Sequence, residues 1–329
     1  MNVAIIGAGV AGLCCAVELL RRGFTVDVYE RADSVGADAC SWFAGGMLAP
    51  WCERESAEQA VVDLGARAID WWSQNTLGVS HNGSLVLSMQ RDKRDIERFA
   101  RLTENHCWVD ADAIRNLEPD LETRFERGLF FEQEAHLNPR AALAQLSETI
   151  EKNSGRLHFN CDVNAVDFSD TQVVDCRGFS ARHDLPGLRG VKGEMLILQT
   201  REVTLSRPIR LVHPRYPVYL VPRHDDQIML GATMVENDER SRISARSMLE
   251  LLSAAYALHP ALGEAEIVEI GVDVRPAFSD NLPAVCRKEN VVYVNGLFRH
   301  GFLLSPAMAQ RVANVLSDQA QFAELAECA

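Results

Sequence analysis

The chain has 329 residues, of which 47% are hydrophobic; this is enough for a large core and excludes a mainly disordered protein. Lys and Arg number 33 against 46 Asp and Glu, and the net charge of -13 argues against nucleic acid and anionic membranes as partners. Nine cysteines without a C-x-x-C pair indicate reduced thiols in the cytoplasm rather than a disulfide framework, and no stretch predicts a membrane span or a metal site.

The first stretch, residues 3–12, has the pattern of a buried strand, a glycine-rich turn and the start of a helix. Gly7 permits a tight turn, Gly9 lets a pyrophosphate approach the backbone, and Gly12 lets the helix lie close to the strand. The N–H groups and the positive dipole at the helix start favour phosphate. The predicted dinucleotide-binding residues here are Gly7, Gly9, Val10, Ala11 and Gly12.

A second strand is predicted at 25–29, and Glu30 ends it. An acid about 20 residues after such a glycine motif binds the ribose hydroxyls of a dinucleotide, and it would repel the 2′-phosphate of NADP. The motif alone does not separate FAD from NAD. A glycine-rich turn without a ligand is the alternative, and the strand–turn–helix–strand context favours dinucleotide binding.

Further along the chain, helical periodicity predicts helices over 57–72, 92–105, 138–153 and 244–259, and a last helix that opens at Pro306 after a loop at 296–305. Strand patterns cover 84–88, 128–131, 156–168, 171–175, 193–200, 218–221, 227–230, 267–275 and 291–295. Trp71 and Trp72 are predicted to be core anchors, and Cys14 and Cys15 helix packing residues.

Strand-to-helix turns at both ends and hairpins in the middle predict an α/β protein. A Rossmann-like domain with a parallel sheet would bind the dinucleotide, and a mainly antiparallel substrate domain would be inserted into it in two parts. The predicted cofactor domain comprises residues 1–80, 138–182 and 270–329. The predicted substrate domain comprises residues 81–137 and 183–269.

Seven short motifs follow one another along the chain in a specific order and spacing, at residues 7–12, 30–31, 41–50, 219–223, 231–234, 275–276 and 298–307. Together they resemble the D-amino-acid-oxidase superfamily of FAD-dependent amine oxidoreductases, and within it the glycine oxidases of thiamine (thiazole) biosynthesis. The resemblance covers nearly the whole chain.

The resemblance implies a bound FAD whose ADP half is held by 7–12, Glu30 and Arg31. It implies that Val163, on a strand, meets the adenine side through its backbone and that Gly178 lies near the pyrophosphate. The residues implied along the flavin are Cys40, Ser41, Gly45, Gly46, Met47, Arg299, His300, Gly301, Phe302 and Leu303. The residues implied in the substrate pocket are Tyr219, Arg275 and Arg299, with Arg299 equally open to a structural ion pair.

Four positions depart from the family pattern. Arg177 stands where a small residue is usual, His300 replaces a common Asn, and Phe43 and Gly45 stand where alanines are usual. Phe43, together with Trp42 and Phe302, would narrow the pocket.

The reaction implied is oxidation of the Cα–N bond of glycine, or of another small amine or D-amino acid, to the imine, with dioxygen reduced to hydrogen peroxide. Arg275 would bind the substrate carboxylate in a bidentate manner through its guanidinium, and Tyr219 would add a hydrogen bond. No catalytic side chain is assigned, because a base is not needed if the amine binds neutral. The dehydroglycine formed would supply the thiazole of thiamine.

Two alternatives stay open. A relative of the same superfamily could prefer D-alanine, D-proline or sarcosine, or pass its electrons to a quinone. A non-catalytic flavoprotein or a tRNA-binding subunit could use the same fold, although Arg275, Tyr219 and the acidic charge argue against it. The expected partners are a small amino acid and dioxygen, and a homo-oligomer is compatible with the sequence.

Overall fold

The structure, a computed structural model, describes residues 1–121, 124–213, 217–318, 325–326 and 328. Its strands are β1 Asn2–Ile6, β2 Thr25–Tyr29, β3 Met47–Leu48, β4 Ser84–Ser88, β5 Cys107–Asp110, β6 Arg127–Phe131, β7 Ala135–His136, β8 Arg156–His158, β9 Gln172–Asp175, β10 Arg189–Gln199, β11 Ile209–Val212, β12 Val218–Pro222, β13 Gln227–Gly231, β14 Glu266–Ala277, β15 Ala284–Lys288 and β16 Val291–Asn295. Its α-helices are α1 Val10–Arg21, α2 Pro50–Glu53, α3 Gln59–Gly65, α4 Ala68–Asn75, α5 Lys93–Leu102, α6 Ala111–Leu117, α7 Pro139–Lys152, α8 Ala245–Leu258 and α9 Gly301–Ser317. No helix in these ranges is long and apolar enough to cross a membrane.

The first sheet has the order β15-β16-β9-β1-β2-β8. Its strands run parallel from β16 to β8, and only β15 is antiparallel to its neighbour. Parallel strands are buried on both faces, which is why β1 and β16 are continuous apolar runs. Helix α1 packs against α9 and α7, and their apolar faces form one core with this sheet. The predicted α/β class is confirmed.

The second sheet has the order β14-β10-β13-β12-β11-β4-β6-β5. It is antiparallel except between β4 and β11. The predicted hairpin is β12 and β13, in which Leu220 pairs with Leu230. The strands of this sheet come from two stretches of chain that interrupt the first sheet, as expected for an inserted antiparallel domain. The domain boundaries themselves stay a prediction.

The last helix begins at Gly301 and not at Pro306, so the predicted loop at 296–305 is wrong in its second half. Proline has no N–H for the carbonyl four residues earlier and therefore usually breaks a helix. Here that carbonyl, of Phe302, accepts a hydrogen bond from Nε1 of Trp72 at 2.7 Å. A core tryptophan from α4 thus supplies the donor that Pro306 lacks. Trp71 and Trp72 are both buried, as predicted.

Two other predicted elements are shorter in the structure. The predicted helix at 57–72 is divided into α3 and α4, and α3 ends at Gly65, a poor helix former that packs against Leu303. The predicted strand at 156–168 ends with β8 at His158. Beyond it the chain turns, because Asn160 has a φ of 55° and Asn164 begins a short 3-10 turn with a capping box.

Cys286 and Cys328 form a disulfide, so the prediction of reduced thiols is wrong for this pair. Backbone hydrogen bonds join Arg287 to Ala326 and Cys328, which places the end of the chain beside β15. A separation of 42 residues hides this pairing from sequence inspection. Cys14 and Cys15 are buried and unbridged in α1, as predicted.

The one-turn helix α2 is fixed by a buried glutamate from the turn between β6 and β7. Oε1 of Glu134 accepts the backbone N–H of Cys52 at 2.8 Å. Glu134 is 1% exposed, and its Oε2 has no hydrogen-bond partner within the described chain. Burial outweighs these bonds and raises the pKa of Glu134 to about 7.

Glu134 is predicted to make the folded state less stable as pH rises. An unfolded glutamate titrates at about 4.3, so the folded state holds its proton longer. This contribution is complete below about pH 4 and is lost as pH rises through the folded pKa of about 7. Glu134→Gln should therefore gain about 3 kcal/mol over the wild type between about pH 4 and pH 8.

Chemical denaturation across this pH range measures the difference. Glu132→Gln, at an exposed neighbouring position, is the control and should follow the wild type. Parallel pH profiles for wild type and Glu134→Gln would contradict the prediction.

Candidate functional site

A cavity of about 700 Å³ lies between the two sheets. One end is lined by residues at the carboxyl ends of β1, β2, β9 and β16, and the other end by residues of β10, β12 and β14. In open parallel sheets, ligands bind beyond the carboxyl ends of the strands. The cavity therefore lies where this fold places a ligand, and its volume is in the range of ligand sites.

The structure brings the predicted site residues together around this cavity, with one exception. Those that line it are Gly7, Gly9, Val10, Ala11, Glu30, Arg31, Cys40, Ser41, Gly45, Gly46, Met47, Val163, Gly178, Tyr219, Arg275, Arg299, His300, Gly301, Phe302 and Leu303. The exception is Gly12, where a Cβ would clash with the carbonyl oxygen of Gly7, so its role is the close packing of helix on strand.

Two details of the prediction are wrong. Val163 lines the cavity from an irregular segment after β8 and not from a strand. Trp42 does not line the cavity, because the guanidinium of Arg140 covers its ring at 4.7 Å. Trp42 therefore does not narrow the pocket directly.

At the first end of the cavity, backbone donors and one carboxylate are held in place. Gly7 has a φ of 103°, and a Cβ there would lie 2.8 Å from the carbonyl oxygen of Cys176. Glu30 accepts the N–H of Ala8 at 2.8 Å through Oε2 and that of Ala32 at 3.0 Å through Oε1. The residue before helix α1, Gly9, has no side chain to cap it, and the N–H of Val10 donates to Oγ of Ser41 at 3.1 Å. A helix start of this kind is suited to phosphate.

Arg177 does not block this end of the cavity. Its guanidinium donates to Asp175 at 2.8 Å, to Asp184 at 2.8 Å and to Asn164 at 2.9 Å. The next residue, Gly178, has a φ of 57°, and a Cβ there would be 3.9 Å from its nearest neighbour, in Pro276. The space before Gly178 is therefore open, and Arg177 replaces a small residue without filling the cavity.

The residues present fit the FAD that the resemblance implies. The first end offers glycine backbone and the start of α1, and the middle of the cavity meets the start of α9 at Gly301. Nδ1 of His300 is buried without a hydrogen-bond partner among the described residues. A bound group with polar ring atoms would satisfy such an orphaned atom.

At the other end of the cavity, Arg275 of β14 and Tyr219 of β12 each pack against a glycine. The Arg275 guanidinium lies so close to Gly193 of β10 that a Cβ there would collide with it. Its Nη1 donates to the carbonyl oxygen of Thr233 at 3.0 Å, and no carboxylate of the described chain pairs with it. Tyr219 packs on Gly45, where a Cβ would lie 2.9 Å from its Cε2.

Sequence reasoning missed a buried carboxylate beside Arg299. Glu53 accepts Arg210 Nη2 at 2.6 Å through Oε1, and Arg299 Nε at 2.9 Å and His300 Nε2 at 2.8 Å through Oε2. Burial raises the pKa of Glu53, but Arg299, Arg210 and His300 outweigh it and hold that pKa well below the usual range. Arg299 is thus both a cavity residue and an ion-pair partner. The available signal in the sequence was that Glu53 lies three residues after the recognised segment 41–50.

Part of the wall near Tyr219 and Arg275 is apolar. Phe43, Met195, Met229 and Tyr219 form one cluster, and Phe43 packs on Gly271. Burial raises the pKa of the Cys40 thiol to about 12, so this cavity residue is neutral and not a nucleophile at neutral pH. His213 also lines the cavity.

Glu53→Gln is predicted to weaken both the fold and the cofactor site. Removing one partner of a buried charge cluster typically costs about 3–5 kcal/mol, because the remaining cations lose their counter-charge. Arg299 and His300 would also lose the anchor that holds the start of α9 at the cavity. We expect a loss of that size in the free energy of unfolding and an FAD dissociation constant raised about tenfold, or about 1.4 kcal/mol.

The matched control is Glu118→Gln, a buried carboxylate paired with Arg207 away from the cavity. It should lose stability while its FAD affinity, titrated into the apo-protein by fluorescence quenching, stays at the wild-type value. Equal FAD affinity in both variants would show that Glu53 has no part in the cofactor site.

Comparisons with known proteins agree with this geometry. The family described as FAD dependent oxidoreductase matches residues 2–315. A candidate thiamine biosynthesis oxidoreductase ThiO from Rhizobium etli is 54% identical over 323 residues, covering 98% of each chain. The bifunctional protein ThiO/ThiG of Trichormus variabilis is 28% identical over 97% of this chain, which spans 53% of that longer protein. The crystal structure of glycine oxidase from Geobacillus kaustophilus superposes with a TM-score of 0.79 at 23% identity, covering 96% of this chain and 94% of that one.

Proposed function

The chain belongs to the family of FAD-dependent oxidoreductases and is an amine oxidoreductase, and we propose that its substrate is glycine. In this proposal the Cα–N bond of glycine is oxidised to the imine, and dioxygen is reduced to hydrogen peroxide. The observation that carries the proposal is Arg275, a cavity arginine for which the described residues provide no carboxylate. A guanidinium without a carboxylate partner at a ligand cavity is a site for a carboxylate ligand.

The surroundings of Arg275 favour a small substrate. The backbone of Gly193 lies directly behind the guanidinium, and Phe43 and Met195 line the cavity wall nearby. A carboxylate bound by Arg275 would leave little room for a long side chain on Cα. Tyr219 lies on the same wall and can donate its hydroxyl proton to the substrate.

FAD, when bound, supplies two-electron oxidation of the C–N bond and reoxidation by dioxygen. The protein's share is to bind and orient the substrate, which lowers the entropic cost of the reaction. The buried carboxylates of the cavity are already paired: Glu53 with Arg210 and Arg299, Asp273 with Arg240, and Glu194 with Lys192. They are therefore not free to act as bases, and in this proposal the substrate amine loses its proton to water before oxidation.

A role in thiamine biosynthesis is part of the proposal. It is supported by the ThiO of Rhizobium etli, which matches the chain at 54% identity over almost its full length. The ThiO/ThiG proteins add a second part of similar length to a region like this chain. We propose that the imine of glycine is passed on to the thiazole-forming step of this biosynthesis.

Arg275→Ala is predicted to keep FAD and lose glycine turnover. Removing the partner of a desolvated carboxylate costs on the order of 2–5 kcal/mol. This corresponds to a drop of about 30-fold to several thousand-fold in kcat/KM for glycine, at about 1.36 kcal/mol per decade. Most of the loss should appear in KM, and Arg275→Lys should recover only part of it, because an ammonium lacks the planar fork.

Peroxide release measures turnover, and the visible absorption of the purified protein reports FAD. Arg240→Ala is the matched control, since Arg240 lines the same cavity but is paired with Asp273; its KM should stay within a few-fold of the wild type. Unchanged glycine kinetics in a yellow Arg275→Ala protein would remove Arg275 from the site. Faster oxidation of D-phenylalanine, D-proline or sarcosine than of glycine would overturn the substrate assignment.

A further inference from the structure

A second arginine touches the cavity wall from its outer side. Arg223 follows β12, and its Nη2 donates to the carbonyl oxygens of Ala44 at 3.0 Å and Gly45 at 2.9 Å. Its Nη1 donates to the carbonyl oxygen of Pro222 at 3.3 Å. Ala44, Gly45 and Gly46 line the cavity, whereas Arg223 does not. The guanidinium therefore lies behind the segment 44–46.

These hydrogen bonds fix the orientation of two peptide groups. In a trans peptide the carbonyl and the following N–H point in opposite directions. Because the carbonyls of Ala44 and Gly45 point to Arg223, the N–H groups of Gly45 and Gly46 point away from it, to the side of the cavity. No backbone partner within the described chain accepts either N–H, although both residues are buried.

The backbone of this segment is held in one orientation. Gly46 has a φ of 72°, a left-handed conformation, and the residue before it does not. A Cβ at Gly46 would clash with the carbonyl oxygen of Leu137. The segment is therefore packed too closely for its peptide groups to reverse their orientation. It presents donors to an electron-rich atom.

The charge of Arg223 is also unusual. A neighbouring arginine, Arg140, donates to the carbonyl of Trp42 at 3.3 Å but is neutralised by Glu269. Arg223 is held by carbonyl oxygens, and no carboxylate of the described residues pairs with it. Burial lowers the pKa of Arg223 to about 10, which still leaves it charged at neutral pH. Keeping an unpaired cation behind the wall costs folding stability, which points to a role outside folding.

We propose that Arg223 is a positioning residue of the flavin site. By holding the carbonyls of Ala44 and Gly45 outward, it aims the N–H groups of Gly45 and Gly46 at the acceptor edge of the bound isoalloxazine ring. Both the aimed donors and the unpaired positive charge favour the more electron-rich, reduced form of FAD. The proposal depends on FAD binding and is independent of which amine is oxidised.

The test compares Arg223→Met and Arg223→Lys with the wild type, each reconstituted with FAD. Loss of the charge and of the aimed donors should raise the dissociation constant of reduced FAD about tenfold relative to that of oxidised FAD. For a two-electron couple, this lowers the midpoint potential by about 30 mV. Arg223→Lys keeps the charge but cannot bind two carbonyls in the same way, and its potential should lie between the other two.

Arg207→Met is the matched control. Arg207 also donates to two backbone carbonyls, of Asn82 at 2.7 Å and Leu117 at 2.9 Å, but lies away from the cavity. This variant should lose stability and keep the wild-type potential and flavin spectrum, as a merely structural arginine would.

A wild-type midpoint potential and flavin absorption band in Arg223→Met would overturn the proposal. If Arg223→Met does not fold, Arg223→Lys decides. A shifted absorption band with FAD bound at least threefold more weakly supports the role, and wild-type values of both contradict it.

Discussion

The carboxylate of Glu53 is the contact on which the cavity depends, because it joins parts of the chain that belong to different layers. Arg210 comes from β11 of the second sheet, whereas Arg299 and His300 precede α9, which packs on the first sheet. Glu53 is the last residue of α2 and lies between these two parts of the chain. Desolvation makes such a buried cluster costly unless every charge is paired, so the three elements are held at the distances that pairing requires. The same contact therefore closes the cavity and places the start of α9 beside it.

The arginines at the cavity carry a charge opposite in sign to the net charge of the whole protein. The chain carries a net charge of -13, yet arginines without carboxylate partners in the described structure lie at the cavity or against it. Arg275 faces the cavity and Arg223 lies behind its wall. A net negative charge disfavours large polyanions, while local cations without carboxylate partners favour small anionic ligands. This combination suits an amino-acid substrate and an electron-rich cofactor ring.

Elements whose sequence pattern lies within a few neighbouring residues were predictable, because the interactions that form them are made by those same residues. The strand at 25–29 and the helix start at Asn138-Pro139 agree with the structure, since alternation and capping are read within a few residues. The glycine motif and its spacing predicted Gly7, Gly9 and Glu30 at the cavity, whereas the residues at its other end were found through the family resemblance. What sequence reading missed depends on distant partners. Trp72 sustains the helix through Pro306, Arg210 reaches Glu53, and Cys328 bridges to Cys286.

The central claim is that one cavity holds FAD and, on Arg275, the carboxylate of a small amino acid. A crystal structure of the FAD-bound protein with glycolate, in which a hydroxyl replaces the amine of glycine, tests it most directly. The account predicts the glycolate carboxylate on the Arg275 guanidinium, with the hydroxyl of Tyr219 in hydrogen-bonding range and Cα toward the flavin. Glycolate bound on Arg210 and Arg299 instead, or a flavin outside the cavity, would contradict it.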